Sequence, residues 1–253
     1  MIRYAFAIAT FAVFASPASA QREFDPDRVD KSAIGSRFKI AEESVNATQM
    51  RKFQKKIVRC TVSGDRDLAR ELLQKSDPAS IDHRELSVSY NEMMEEMNFG
   101  RCIGRAMPRS ARMMRVSYKP SVMRNLMAEE IYLYDNKEPL TISEGDPEYL
   151  ENRYFAGGQS YTMAEVPARL ADCIVYNAPV KSHEFIDTNP TTGGEDKAAA
   201  ALTDTINACL PGEGEVSLTI TQLRAYVADG LWSRSYYGKM ATGSVIVDGE
   251  GSE

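Results

Sequence analysis

The sequence predicts a mainly α-helical protein made of two tandem four-helix repeats, with short extended segments and one disulfide in each repeat. Three observations predict it. First, a block recurs: Val116-Ser117 answers Val216-Ser217, Ser121 answers Thr221, Arg124 answers Arg224 and Ala128 answers Ala228. Second, the four cysteines divide two and two, Cys60 and Cys102 before the linker, Cys173 and Cys209 after it. Third, apolar residues recur at helical spacing in matching places. Phe53, Ile57 and Cys60 follow the same i, i+4, i+7 pattern as Val166, Leu170 and Cys173, which predicts that each cysteine faces the core side of its helix.

Each element can be justified in order. Residues 1–20 read as an export signal: Arg3 is the charged start, Tyr4 to Phe14 is apolar except for Thr10, and Ala18-Ser19-Ala20 is an A-x-A cleavage site. The apolar run is shorter than the roughly 18 to 20 residues a membrane span needs. Residues 21–45 are polar and read as a flexible arm. Repeat one spans 46–134. Its first helix runs from about Thr48 to Thr61, with Met50, Phe53, Ile57 and Cys60 inward. Asp65 caps a short second helix from Arg66 to Gln74, which stops at Asp77-Pro78 because the residue before proline is excluded from the α conformation. The third helix carries the stripe Leu86, Tyr90, Met93 and Met97 toward Cys102. An extended segment near Arg112–Tyr118 leads to a fourth helix with Ser121 as N-cap and Met123, Met127 and Ile131 inward.

Residues 135–163 read as a polar linker. Repeat two spans 164–238. Val166, Leu170 and Cys173 face inward on its first helix; Pro179 starts the second, which ends at Asn189-Pro190. Leu202, Ile206 and Cys209 mark the third. Residues Glu215–Thr219 are extended, and Thr221 caps a fourth helix with Leu223, Val227 and Leu231 inward. Ala128 and Ala228 are small where another helix can approach closely. The tail, 239–253, is Gly/Ser-rich and acidic and reads as disordered.

Export makes the four cysteines read as two disulfides, and of the three possible pairings the repeat selects Cys60–Cys102 and Cys173–Cys209. A metal site is disfavoured: CxxC spacing is absent, and His83 and His183 lie away from the cysteines. The formal charge is −6, and it is uneven. Residues 51–135 hold 16 Lys/Arg against 12 Asp/Glu, and residues 136–253 hold 8 against 18. The basic part can face an acidic partner or the acidic second half. Interspersed acids argue against a nucleic-acid role.

Catalytic motifs are absent: there is no H-E-x-x-H, G-x-S-x-G, P-loop or dinucleotide fingerprint. Gly157-Gly158-Gln159-Ser160 reads as a linker bend. Eight of the twelve methionines lie between Met93 and Met127, which raises Met-based copper handling against ordinary core packing. The acidic pairs Glu95-Glu96 and Glu129-Glu130 read as solvated helix faces. Arg124 and Arg224 are the matched polar positions, and each is either an anion ligand in a groove or the partner in an internal salt bridge.

Paired cysteines, a proline turn and a terminal R-x-x-x-A helix make the chain resemble uncharacterised exported helical-repeat proteins of alphaproteobacteria of the sphingomonad type. The resemblance covers residues 50–134 and 164–234, and it implies export and helical repeats but no activity and no site residue. The functional expectation is a periplasmic or secreted, non-catalytic interaction or envelope-associated binding module. It has no cofactor, does not span a membrane, and takes an unidentified protein or small molecule as partner. A hydrolase with a site between the repeats is the alternative, beside copper handling.

Overall fold

The computed structural model describes residues 37–41, 45–107, 119–146, 149–150, 153–156, 159–210, 212 and 214–241. The expected export signal, residues 21–36 and 42–44 of the arm, the segment near Arg112–Tyr118, Gly157-Gly158 and residues 242–253 of the tail lie outside them. In chain order come β1 (Phe38–Ala41), α1 (Val45–Gly64), α2 (Arg66–Gln74), α3 (Tyr90–Glu96), α4 (Phe99–Ala106) and α5 (Pro120–Asp135). Then follow α6 (Gln159–Asn177), α7 (Pro179–Asp187), α8 (Gly193–Ala200), α9 (Thr203–Cys209), β2 (Val216–Thr219) and α10 (Ile220–Ala241). The protein is mainly helical, and its disulfides are Cys60–Cys102, tying α1 to α4, and Cys173–Cys209, tying α6 to α9.

Local chemistry sets most helix ends. Asp65 accepts from the Leu68 amide and caps α2, and Pro179 occupies the first turn of α7. Ser89 and Glu92 form a capping box at α3. The third helix of each half is broken in two, so each half holds five helices among the described residues. In the first half the break is at Asn98, which takes the left-handed conformation with φ 52°. Asparagine tolerates that conformation better than most residues. The caps expected at Ser121 and Thr221 fall two residues earlier. Pro120 fills the first position of α5 after Lys119. At α10 the Thr219 hydroxyl accepts from the Gln222 amide at 3.2 Å while the Gln222 side chain accepts from the Thr219 amide at 2.9 Å.

Both halves contribute to one apolar core. Ile57, Leu72, Met93, Met97, Met123 and Met127 meet Ile174, Phe185, Ile206, Leu223, Val227 and Leu231 in it. Helix α10 is central and packs on α5, α6 and α7, while α1 packs on α4 and α5.

Three expectations are corrected. The arm contributes a strand: β1 pairs in parallel with β2, Phe38 opposite Val216 and Ala41 opposite Thr219, and Phe38 is buried. Arg37 beside it donates to the carbonyls of Asn207 and Leu210 at the end of α9. The linker is docked at 153–156, where Arg153 and Ala156 are buried. There the Ala156 amide donates to Asp77 at 2.9 Å and the Tyr154 amide donates to the Tyr237 hydroxyl at 3.1 Å. The inward face of α6 is rotated from the expected one. Val166 is 60 % exposed, whereas Leu170 is buried as expected, and Ala164, Ala168, Ala171, Ile174 and Val175 are buried with it. Small residues stand at its tightest point, where α10 comes so close that a Cβ on Gly230 would stand 2.7 Å from the Ala171 carbonyl oxygen.

That crossing gives a stability prediction. Gly230→Ala forces two backbones apart and should cost about 1–3 kcal/mol. Gly100→Ala, in α4 with open space around it, should stabilise by about 0.5–1 kcal/mol. Thermal melting of the two variants should therefore move Tm in opposite directions.

Candidate functional site

The polar chemistry of the interior gathers where α5 crosses α10. Arg124 and Arg224 stand near the starts of these helices, and Glu129 and Asp229 stand five residues further along each. The pairing is reciprocal. Arg124 bonds Asp229, while Arg224 grips Glu129 with two bonds of 2.8 Å. The helices are therefore antiparallel at the crossing. Each arginine also reaches the end of the second helix of its own half. Arg124 Nε donates to Ser76 Oγ at 3.1 Å, after α2. Arg224 donates to the carbonyls of Phe185, Ile186 and Thr188 at the end of α7, where a cation complements the helix dipole.

Other charges complete two clusters. Around Glu129 stand Lys55, which bonds both Glu129 and Glu130, and Glu195, which receives Arg224 at 2.9 Å and also Arg51. Arg59 bonds Glu130 at 2.9 Å. Around Asp229, Arg153 donates two bonds of 2.7 Å. The Arg124 guanidinium also lies 5.2 Å from the centre of the Trp232 ring. Glu129 and Glu130 are thus buried, against the expectation of a solvated pair, because α1 brings Lys55 and Arg59 to meet them. Glu95 and Glu96 are exposed as expected.

Burial alone would raise the Glu129 carboxyl, but the Arg224 and Lys55 charges outweigh it and hold it at about 2. Asp229 is likewise lowered, burial opposing and the Arg124 and Arg153 charges prevailing. Burial pulls Arg124 down from its ordinary value against the attraction of Asp229, yet a guanidinium stays charged at any working pH. A carboxylate held near 2 is a poor acid or base at neutral pH. The cleft beside this cluster, lined by Arg51, Gln54, Leu126, Pro190 and Arg224 among others, is about 40 Å³. That is well below the roughly 300 Å³ at which ligand pockets begin. The network fits a structural role.

The other sequence candidates fall elsewhere. Met93, Met97, Met123 and Met127 are fully buried among apolar side chains. His83 is exposed and stands edge-on to Tyr90, and His183 is buried with Nδ1 3.1 Å from the Tyr132 hydroxyl. No group of three or more His, Cys, Asp or Glu side chains is arranged to hold a metal among the described residues.

A second place carries charge toward solvent. Helix α1 has two basic rows: Arg51, Lys55 and Arg59 turn to the acids, and Lys52 and Lys56 are exposed. Arg101 and Arg105 are exposed on α4. Lys56, Cys60 and Ser63 of α1 with Cys102, Arg105 and Ala106 of α4 line an open depression of about 440 Å³. None of these four outward cations has an ion pair among the described residues. One basic row of the first half thus meets internal acids, Glu129 and Glu130 of the same half and Glu195 of the second, and the other faces solvent.

No protein-family model matches the chain, and neither a curated protein nor a solved structure does.

Two predictions follow the buried network. Arg224→Ala and Arg124→Ala each leave a buried carboxylate short of its partner and should cost roughly 3–5 kcal/mol, seen as a lowered denaturation midpoint. Glu129 sits near 2 in the fold against its ordinary 4.5. Its stabilisation is therefore complete above pH 4.5 and is lost as the pH falls through 2. Melting followed against pH should show a steep loss across that window, and Glu129→Gln should be less stable at pH 7 with a flatter acid limb.

Proposed function

We propose that the protein is an exported, non-catalytic binding module that presents the outer face of α1 and α4 to an anionic envelope surface. The observation that supports it is the set Lys52, Lys56, Arg101 and Arg105, without an ion pair among the described residues and all exposed on two helices joined by a disulfide. The interior charges are neutralised by one another, so this outward charge is not needed for folding. Two disulfides accord with an oxidising compartment. No helix among the described residues is long and apolar enough to cross a membrane, so a surface contact suits the fold better than insertion.

The expected strength is modest. Each Lys or Arg near an anionic leaflet is worth about 1 kcal/mol at ordinary salt, so four give roughly a thousandfold in partitioning. The attraction should fade within a Debye length and at high salt. Sedimentation with phosphatidylglycerol-containing vesicles should pull the protein down at low salt and release it at high salt. Purely zwitterionic vesicles should leave it in solution. The variant carrying Lys52→Glu, Lys56→Glu, Arg101→Glu and Arg105→Glu should stay folded and lose the binding. Equal binding to both vesicle types, or by the variant, would overturn the proposal.

A further inference from the structure

The two disulfides have the same bond and different surroundings. Cys60–Cys102 forms the floor of the open depression, and both cysteines line it. Cys60 is partly exposed and Cys102 is buried. The contacts along α1 and α4 run in opposite directions, Gly64 beside Met97 and Cys60 bonded to Cys102. Lys56, one turn before Cys60, and Arg105, about one turn after Cys102, therefore arrive at the same end of the disulfide. Both are exposed and neither is neutralised by an acid among the described residues.

Cys173–Cys209 differs in the charges around it rather than in exposure, since both of its cysteines are partly exposed. The Asn177 amide nitrogen lies 3.4 Å from Cys173 Sγ and 3.9 Å from Cys209 Sγ. Arg169, one turn before Cys173, is paired with Glu165 at 2.9 Å. Arg37 is turned onto the carbonyls of Asn207 and Leu210.

Thiol–disulfide exchange depends on access to a sulfur, on the local concentration of attacking thiolate and on stabilisation of the departing one. Both cystines offer a reachable sulfur, and the depression favours the other two. Lys56 and Arg105 attract an anionic thiol to the sulfur that is reachable, and a cation beside the cystine stabilises the sulfur that leaves. We propose that Cys60–Cys102 is a thiol-exchange site for a small anionic thiol, and that Cys173–Cys209 is a structural bond only. In the first step the incoming thiolate attacks Cys60 Sγ. A mixed disulfide forms, the Cys60–Cys102 bond breaks, and its electron pair leaves on Cys102 Sγ, which is protonated by solvent. A second thiolate attacks the small-molecule sulfur of the mixed disulfide. It releases Cys60 as a thiolate and leaves the small thiol as its own disulfide. Two electrons pass from two thiols to one protein cystine. This chemistry stands apart from the membrane-binding role proposed for the same face.

The two cystines of one molecule make an internal control. The full chain is treated at neutral pH with glutathione, whose thiolate form is dianionic overall, or with cysteamine, whose thiolate form is neutral overall. Samples are trapped by alkylation over time and mapped by peptide under non-reducing conditions. The ratio of opening rates between the two cystines cancels the intrinsic nucleophilicity of each thiol. With glutathione, Cys60–Cys102 should open first, its advantage larger than with cysteamine by about three- to tenfold, the size expected of two screened surface charges. Lys56→Glu with Arg105→Glu should remove that extra advantage, and added salt should shrink it. Equal rates at both cystines, earlier opening of Cys173–Cys209, or the same ratio with both thiols would overturn the proposal.

Discussion

The fold depends on the crossed pairs Arg124–Asp229 and Arg224–Glu129. These groups lie in the middle of an apolar core, where an unpaired charge is severely penalised. They are tolerated because each faces opposite charge and the two acids are nearly saturated, while Arg124 Nη2 has no hydrogen-bond partner among the described residues. Glu129 receives Arg224 and Lys55, and Asp229 receives Arg124 and both terminal nitrogens of Arg153. Replacing such pairs by apolar residues is often no loss in stability, so their benefit is better sought in specificity. Here that benefit is register. A slide of α5 along α10 by one residue would break both pairs together, whereas an apolar seam of Met127, Val227 and Leu223 could repack. Because the same arginines hold the ends of α2 and α7, the register of the crossing also fixes where those helices stop.

Much of this was legible in the sequence, and the limits have physical causes. Both disulfides, the Asp65 cap, the Pro179 start and the proline turns are local or follow from matching blocks. Arg124 and Arg224 stand out by the same matching. Their acids did not, although Glu129 and Asp229 also sit at matched places five residues on. Two adjacent glutamates on a helix ordinarily point to solvent, and the cations that bury them come from α1, over 70 residues away in sequence, and from Arg224 of α10. A signal was present in the spacing of Arg51, Lys55 and Arg59, one turn apart and flanked by Phe53 and Ile57. The strand β1 was hidden because its partner lies at Val216–Thr219 and its own sequence is too short to show alternation. Arg153 was hidden because a polar stretch with glycines and a proline reads as a linker whatever one of its arginines bonds.

The inward face of α6 is a different kind of miss. A search for large apolar residues selects Val166, but the helix turns its alanines inward. Hydrophobic spacing identifies the face that buries most area at ordinary interhelical distance. It fails where the partner helix comes closer than that, because there backbone meets backbone across a glycine and an alanine. Gly230 on α10 and Ala171 on α6 define such a contact, and only the pair of sequences together predicts it.

Counting from the cysteines shows why the two halves differ in chemistry. From Cys60 back to Arg51 and Lys55 is the same step as from Cys173 back to Ala164 and Ala168. Glu130 on α5 likewise answers Gly230 on α10. The α1–α5 crossing is therefore bridged by long charged side chains, and the α6–α10 crossing is closed by small ones. With alanines at these positions α6 offers no cation to Asp229, and Arg153 from the connecting segment takes that place. The first half, by contrast, carries basic residues on α1 in two rows, and among the described residues only the inner row finds acids. The outer row, Lys52 and Lys56, is left facing solvent on the helix that carries the partly exposed Cys60. The asymmetry that built a close-packed crossing in one half and a charged one in the other thus concentrates the accessible chemistry on α1 and α4.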